Sequence, residues 1–379
     1  MKCASFDKIT TAFEKNVLNL TEAKEKGKKV VGQFCLYSPS EIALAAGAIP
    51  VSLCGTKNDS IPAAEEILPR SLCPLIKSSF GFALKDSCPY LAAADIVVAD
   101  TTCDGKKKMY ELLAPYKPIA LLQLPQIQDN DALNYWRNQF EGLVRRLEQE
   151  FDVKISDAKL RDAIRLMNRE RLALKAVMDL AQRKPSPVTG VELVEIAFKT
   201  SFFPDKEVGI AMLEDLAEEM GRLADAGQGA TSPEAPRILL TGVPVGLGSH
   251  KVVRLIEECG GSVVCLDNCS AYKKTRVMME EDGDPLTVMA RRYLDVPCAV
   301  MSPNPNRYDA LRQMASDFSV DAVVDLTWQG CQTYAVEAWT LKKFVQNDLG
   351  LPYLQVETDY SETDTEQLKV RVEAFLEML

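Results

Sequence analysis

The chain has 379 residues with 54 acidic and 44 basic side chains, a net charge of −10. That length exceeds one core of ordinary size and predicts two or more domains; the acidic balance argues against nucleic acid or an anionic membrane surface as a partner. Hydrophobic and charged fractions of 47% and 26% fit a soluble globular protein. No stretch reaches transmembrane length and the first residues hold no apolar signal core, which predicts a cytoplasmic location.

In chain order, Ser5 to Lys26 reads as an amphipathic helix and Lys29 to Phe34 as a strand that ends at Cys35. Ser38-Pro39-Ser40-Glu41 has the pattern of an N-cap, a proline at the first helical position and a capping-box glutamate, opening a helix that ends near Gly47. Ile49 to Leu53 is a second strand ending at Cys54, Asp95 to Ala99 a third that delivers Cys103, and Pro118 to Leu122 a fourth. Asp129 to about Ala226 is helical almost throughout, and Gly227 to Pro236 is a linker by composition. Strands then recur at Arg237–Leu240, Ser262–Leu266, near Pro297–Met301, Ala322–Leu326 and Pro352–Val356, with helices at Pro305–Asp317, Gln332–Asn347 and Thr363–Leu379. The alternation predicts an α/β protein with two Rossmann-like lobes of mainly parallel sheet facing a central cleft: an N-terminal lobe over 1–128, a helical connector and linker over 129–236, and a C-terminal lobe over 237–379.

Eleven cysteines accompany a single histidine, His250. Disulfides are rare in cytosol, so metal binding or redox chemistry is the better expectation, and histidine-based zinc sites or Cys–His catalysis are disfavoured. Cys73 and Cys88 each precede a proline, and Cys103 precedes Asp104-Gly105 and the basic run Lys106–Lys108. All three therefore sit at predicted helix starts, where unpaired N–H groups favour negative charge and a lowered thiol pKa. Cys269, Cys298 and Cys331 fall at predicted strand ends in the second half, while Cys259 and Cys265 read as small hydrophobes within a helix and a strand, and Cys3 lies near a loose terminus. Ligands of open parallel sheets bind beyond the carboxyl ends of the strands, so facing lobes would bring both cysteine sets into one cleft. The spacings match neither a zinc ribbon nor a ferredoxin run. Lys106–Lys108 reads equally as a solvated face or as charge compensation for an anionic cluster. The Gly242–Gly248 turn reads as a plain tight turn, His250 as a helix-start residue, and Asp325, Glu337 and Asp359 as structural.

The segments LCPLIKSSFGF, CPY, TTCDGKKKMYE, DNC, PCAVMSPN and QGCQTYAVE resemble the 2-hydroxyacyl-CoA dehydratase superfamily, whose D-component-like members include a double-cubane cluster branch that is the nearest match. The resemblance implies that the cysteines matching the single [4Fe–4S] cluster of ordinary dehydratase subunits are Cys73, Cys103 and Cys331. For a double-cubane [8Fe–9S] cluster it implies Cys88, Cys269 and Cys298 as the additional ligands, with Cys35 and Cys54 in reserve. It further implies an ATP-dependent, anaerobic reductase of small molecules such as acetylene, azide or hydrazine, a separate ATP-hydrolysing iron–sulfur activator as electron donor, and a homodimer. Two other readings stand beside it: a single-cubane subunit of a 2-hydroxyacyl-CoA dehydratase, and a two-lobed binding protein without catalysis. No residue is assigned to proton delivery.

Overall fold

The computed structural model describes residues 3–53 and 55–379; Cys54 lies outside the described residues. Its eight strands are β1 Val30–Gln33, β2 Ile49–Ser52, β3 Ile96–Asp100, β4 Ile119–Leu122, β5 Arg237–Gly242, β6 Ser262–Asp267, β7 Ala322–Trp328 and β8 Tyr353–Thr358. They form two four-stranded sheets, ordered β2-β1-β3-β4 and β6-β5-β7-β8, and every pairing is parallel. Parallel sheets need helices on both faces, and their central strands are accordingly continuous apolar runs rather than alternating ones. β1, β3, β5, β6 and β7 are buried along their whole length, whereas the edge strands β4 and β8 are partly exposed.

The two sheets share one strand order, so each reverses its winding at the same place: between β1 and β3, and between β5 and β7. Crevices at such reversal points, beyond the strand C-termini, are where open α/β sheets hold ligands. Cys35 and Cys103 follow the ends of β1 and β3, and Cys331 follows the end of β7. Cross-lobe hydrogen bonds hold the two halves together: Tyr360 Oη donates to the Gly55 carbonyl (3.1 Å), Thr56 Oγ1 to that of Leu247 (2.7 Å), and Tyr37 Oη to that of Val296 (3.2 Å).

The helical segment packs against both lobes. Helix Asn130–Phe151, capped by Asp129 accepting from the Ala132 amide at 2.7 Å, buries Trp136, Phe140, Leu143 and Leu147. Phe140 meets Tyr293 of helix Pro285–Leu294 edge-on, with ring centroids 5.7 Å apart. Helix Asp157–Asp179 carries Arg171, fully buried against Glu41 in the N-terminal lobe. Helix Gly190–Thr200, opened by the Thr189/Glu192 capping box, starts on β6, where a Cβ at Gly190 would lie 2.5 Å from Val263 Cβ.

Three sequence expectations fail locally. Pro297–Met301 is not a strand: Met301 N–H donates to the Cys298 carbonyl in a turn, and Cys298 sits on a loop after helix Pro285–Leu294. The capping box expected at Ser38–Glu41 does not form, because Ser38 Oγ turns to the Val98 carbonyl (3.4 Å) and Glu41 is drawn into its ion pair with Arg171. Cys3 is buried rather than loose, held where Glu219 accepts from the amides of Ala4 and Ser5 at 2.9 and 2.8 Å.

Candidate functional site

A cavity of about 350 Å³ opens between the lobes, and the six cysteines Cys35, Cys73, Cys103, Cys269, Cys298 and Cys331 line it. Three of them are helix N-caps: Cys73 for Pro74–Leu84, Cys103 for Asp104–Leu113 and Cys331 for Gln332–Lys343. Each helix therefore presents its unpaired N–H groups toward the cavity mouth. Cys35 lies in the turn after β1, Cys269 in the turn after β6, and Cys298 on the loop beyond helix Pro285–Leu294.

Electrostatic influence links the thiols in two sets. Cys73 donates its S–H to Cys331, and Cys103 feels the charge of Cys331. Cys35 in turn feels Cys269 and Cys298. Each set draws on both lobes. A glycine makes the first of these approaches feasible: Gly330, at φ +76°, brings its backbone so close to Ser71 that a Cβ would lie 2.2 Å from the Ser71 carbonyl oxygen. Only glycine takes that left-handed conformation without cost and leaves room for the opposing chain.

Cys88 stands apart from this set. It is not among the cavity-lining residues; it caps the five-residue helix Pro89–Ala93, its sulfur accepting from the Leu91 amide at 3.4 Å. Cys35, a reserve candidate, lines the cavity instead. A Cys-Pro step signals a helix start, but not which way that start faces. Cys54, the other reserve candidate, lies outside the described residues.

The electrostatics depart from the expected thiolates. Burial pushes the thiols of Cys35, Cys88 and Cys103 up, overriding the amides at the helix starts. Cys73 is raised first by its bond to Cys331 and then by burial. Cys331 is lowered, because Cys73 donates to it. For Cys35 and Cys103 desolvation outweighs the favourable charges and amides around them, so their deprotonated ligand form calls for a cation among the sulfurs.

The basic run divides. Lys106 is buried at the cavity wall, with Nζ donating to the Phe34 carbonyl at 3.3 Å, and it lowers the pKa of Cys35, Cys103 and Cys331. Lys107 and Lys108 face solvent, paired with Asp104 and Glu111. Charge compensation therefore describes Lys106, and the solvated-face reading describes its two neighbours.

Sequence reasoning missed the polar wall behind Cys298. Tyr334 Oη, 3.9 Å from Cys298 Sγ, accepts from Lys273 Nζ at 3.0 Å. Lys273 is fully buried 3.6 Å from Asp267, and Arg307, stacked 4.9 Å over the Tyr334 ring, bridges Thr241 and Glu337. Tyr334, three residues after Cys331 at a helix start, was the one readable signal; Lys273 and Arg307 come from elements remote in sequence. His250, as expected, is a helix-start residue, its Nδ1 3.2 Å from the Gly246 carbonyl oxygen. Asp325 and Glu337 are engaged by Tyr353 and Arg307.

The donor set fits an iron–sulfur cofactor: six sulfurs, no imidazole, and one buried ammonium. Among the described residues no group of three or more His, Cys, Asp or Glu side chains converges to hold a metal ion. The sulfurs instead surround a volume, which at about 30 Å³ per water is on the order of ten water molecules.

The sequence matches the family described as 2-hydroxyglutaryl-CoA dehydratase, D-component, over residues 35–379. The chain belongs to that family. Among its relatives, the "Putative dehydratase subunit YjiM" of Escherichia coli is 43% identical over 99% of this chain and 98% of its own length. The (R)-phenyllactyl-CoA dehydratase beta subunit of Clostridium sporogenes is 23% identical over 98% and 99% of the two chains. A benzoyl-CoA reductase subunit from Thauera aromatica is 22% identical over 71% and 69%. D-component membership thus agrees with the superfamily resemblance read from the cysteine segments, and the family's relatives are named as dehydratase and reductase subunits alike. No helix among the described residues is long and apolar enough to cross a membrane.

Proposed function

We propose that this protein is an ATP-dependent, low-potential reductase of small molecules that holds a double-cubane [8Fe–9S] cluster through Cys35, Cys73, Cys103, Cys269, Cys298 and Cys331. The observation that carries the reading is one cavity lined by six thiols drawn from both lobes, which on our reading serve as two trios, Cys73/Cys103/Cys331 and Cys35/Cys269/Cys298. Two cubanes joined by one sulfide each need three protein thiolates, whereas a single [4Fe–4S] subunit would leave the second trio without a task. When bound, such a cluster stores and passes electrons at low potential.

The chain's own residues supply the setting. The helix starts at Cys73, Cys103 and Cys331 direct N–H groups at the sulfurs, which moderates cluster charge. Lys106 contributes the one buried ammonium of that wall. Tyr334, fixed by Lys273, places a hydroxyl beside Cys298. Electrons come from a separate ATP-hydrolysing iron–sulfur activator, and the working unit is a homodimer in the cytoplasm.

Iron and acid-labile sulfide analysis of anaerobically purified protein tests the reading. About eight irons per chain are expected. About four would move the assignment to a single-cubane dehydratase subunit, and a colourless protein that stays folded after iron chelation would favour a non-catalytic binding protein.

A further inference from the structure

A second cavity of about 130 Å³ lies against the thiol-lined one, and Cys35, Leu75, Pro244 and Cys269 line both. Its other wall carries Arg171, Lys274, Arg292 and Tyr293. These side chains belong to a buried charge cluster that does not balance. Arg171 pairs with Glu41, whose other oxygen accepts from Tyr293 Oη at 2.7 Å. Glu170 is shared by two cations, Lys206 at 2.9 Å and Lys274 at 2.7 Å. Arg292 has backbone partners only, donating to the carbonyls of Val277 and Lys274 at 2.6 and 2.8 Å, and among the described residues no carboxylate lies within salt-bridge distance of it. The adjoining Arg276–Asp295 pair is neutral as a unit. Four cations, Arg171, Lys206, Lys274 and Arg292, thus face two carboxylates, Glu41 and Glu170. Arg292 is pulled down to about 10 by burial and by Arg171, and it remains charged at neutral pH.

A second observation points the same way. Arg171 is only 3% exposed, and its Nε–H has no hydrogen-bond partner among the described residues. Buried donors and buried charges are costly unless partnered. The cluster therefore holds more positive than negative side chains, and Arg171, Lys274 and Arg292 of it line the cavity; the carboxylate nearest the opposite wall, Asp100 behind Ser38, has Lys106 as its counter-charge.

We infer that this second cavity is the substrate chamber and that it selects small anions, of about six heavy atoms or fewer. The size follows from its volume, since an apolar cavity of about 150 Å³ accepts benzene. A CoA thioester has no room in it. The sign follows from the two uncompensated cations. A bound anion would sit across Cys35 and Cys269 from the cofactor, so this inference rests on the reductase reading and narrows its substrate class.

The test uses cluster-loaded protein under non-reducing conditions, at constant ionic strength set by a bulky sulfonate salt. Calorimetric titration with nitrate is compared with acetamide, a neutral molecule of equal heavy-atom count. Nitrate is expected to saturate one site per chain at least about tenfold more tightly than acetamide, a difference of roughly 1.4 kcal/mol. Crystals soaked in bromide should show an anomalous peak beside Arg171 and Arg292. Arg292→Gln should weaken nitrate binding about tenfold at unchanged iron content. Should that variant fail to fold, the wild-type comparison and the bromide position still decide. Equal binding of nitrate and acetamide, or bromide bound elsewhere, overturns the inference. An iron count near four with nitrate bound would instead sink the double-cubane reading and leave the anion chamber standing. An iron count near eight without nitrate binding would do the reverse.

Discussion

The sequence offers Cys88 as a ligand and Cys35 in reserve, our proposal takes Cys35, and replacing each by serine separates the two assignments. Cys35 lines the thiol cavity and feels Cys269 and Cys298; Cys88 caps a five-residue helix away from it. Cys35→Ser removes one of the three sulfurs in its trio while leaving Cys73, Cys103 and Cys331 intact. The expected outcome is loss of the cubane on that side, with iron falling from about eight to about four per chain and sulfide in proportion. Cys88→Ser should leave iron unchanged. Stability and iron content are read separately for both variants. The buried hydroxyl left at position 35 costs about 1–3 kcal/mol if unpartnered, which circular dichroism and urea unfolding of the cluster-free protein would register separately from iron. The assay is iron and sulfide content with absorbance near the cluster bands, on anaerobic preparations of both variants and wild type. Full iron in Cys35→Ser together with half-loss in Cys88→Ser would refute the assignment of Cys35 and, with it, the grouping into trios.

Further predictions follow from single contacts. Gly330→Ala places a Cβ 2.2 Å from the Ser71 carbonyl oxygen at a positive φ; it should part Cys331 from Cys73, cost at least about 1 kcal/mol, and lower iron content, as metal analysis would show. Lys106→Met removes the buried ammonium beside Cys103 and Cys331. The cofactor potential should become more negative by roughly 90 mV, taking on the order of 2 kcal/mol for a unit charge at an effective dielectric of about 20, measurable by redox titration followed by electron paramagnetic resonance. Glu170→Gln strands Lys206 and Lys274 without a carboxylate and should cost about 3–5 kcal/mol in urea unfolding at pH 7. Burial opposes ionisation of Glu170, but Lys206 and Lys274 outweigh it and hold its pKa well below the usual range. Because the folded-state value is depressed, this stabilisation is complete above the unfolded value near about 4.3 and is lost as pH falls toward the folded one. The wild type should therefore lose stability between pH 5 and 3 by an amount the Gln variant does not.

Local signals were enough to find the strands and most of the helices. Apolar runs such as DIVVA and SVVCL mark buried parallel strands, and Cys-Pro and Cys-Asp-Gly mark helix starts, all of which depend on neighbours within a few residues. The errors share one cause, which is a tertiary partner outbidding a local motif. Glu41 leaves its capping box for Arg171, 130 residues away in the chain. Pro297–Met301 has the apolar content of a strand, yet its backbone is taken up elsewhere: Met301 N–H closes a turn on the Cys298 carbonyl, Asn304 Nδ2 donates to that carbonyl at 2.9 Å, and Ser302 N–H reaches the Gln126 carbonyl of the other lobe. Cys331, Cys73 and Cys103 share one environment because Gly330 lets the lobes meet there, and nothing near Ser71 in sequence announces that contact.

The same reasoning explains why a local motif draws attention to Cys88 while Cys35 is the one that lines the cavity. A helix start reports where amides lack partners, and Cys88 has such a start as surely as Cys73 does. What it does not report is the sheet position that the helix is hung from. Cys73 enters through its contact with Gly330, and Cys35 enters because β1 adjoins the winding reversal at the middle of its sheet. The helix that Cys88 caps precedes β3, so it lies toward the strands' amino ends, opposite the cavity. Strand order accounts for Cys35, Cys103 and Cys331, which follow strands flanking a reversal, whereas Cys73, Cys269 and Cys298 reach the same cavity from loops. In a fold built of two such sheets, cysteines after the strands flanking each reversal are the first to weigh, and those on loops at the same end of the sheets come next.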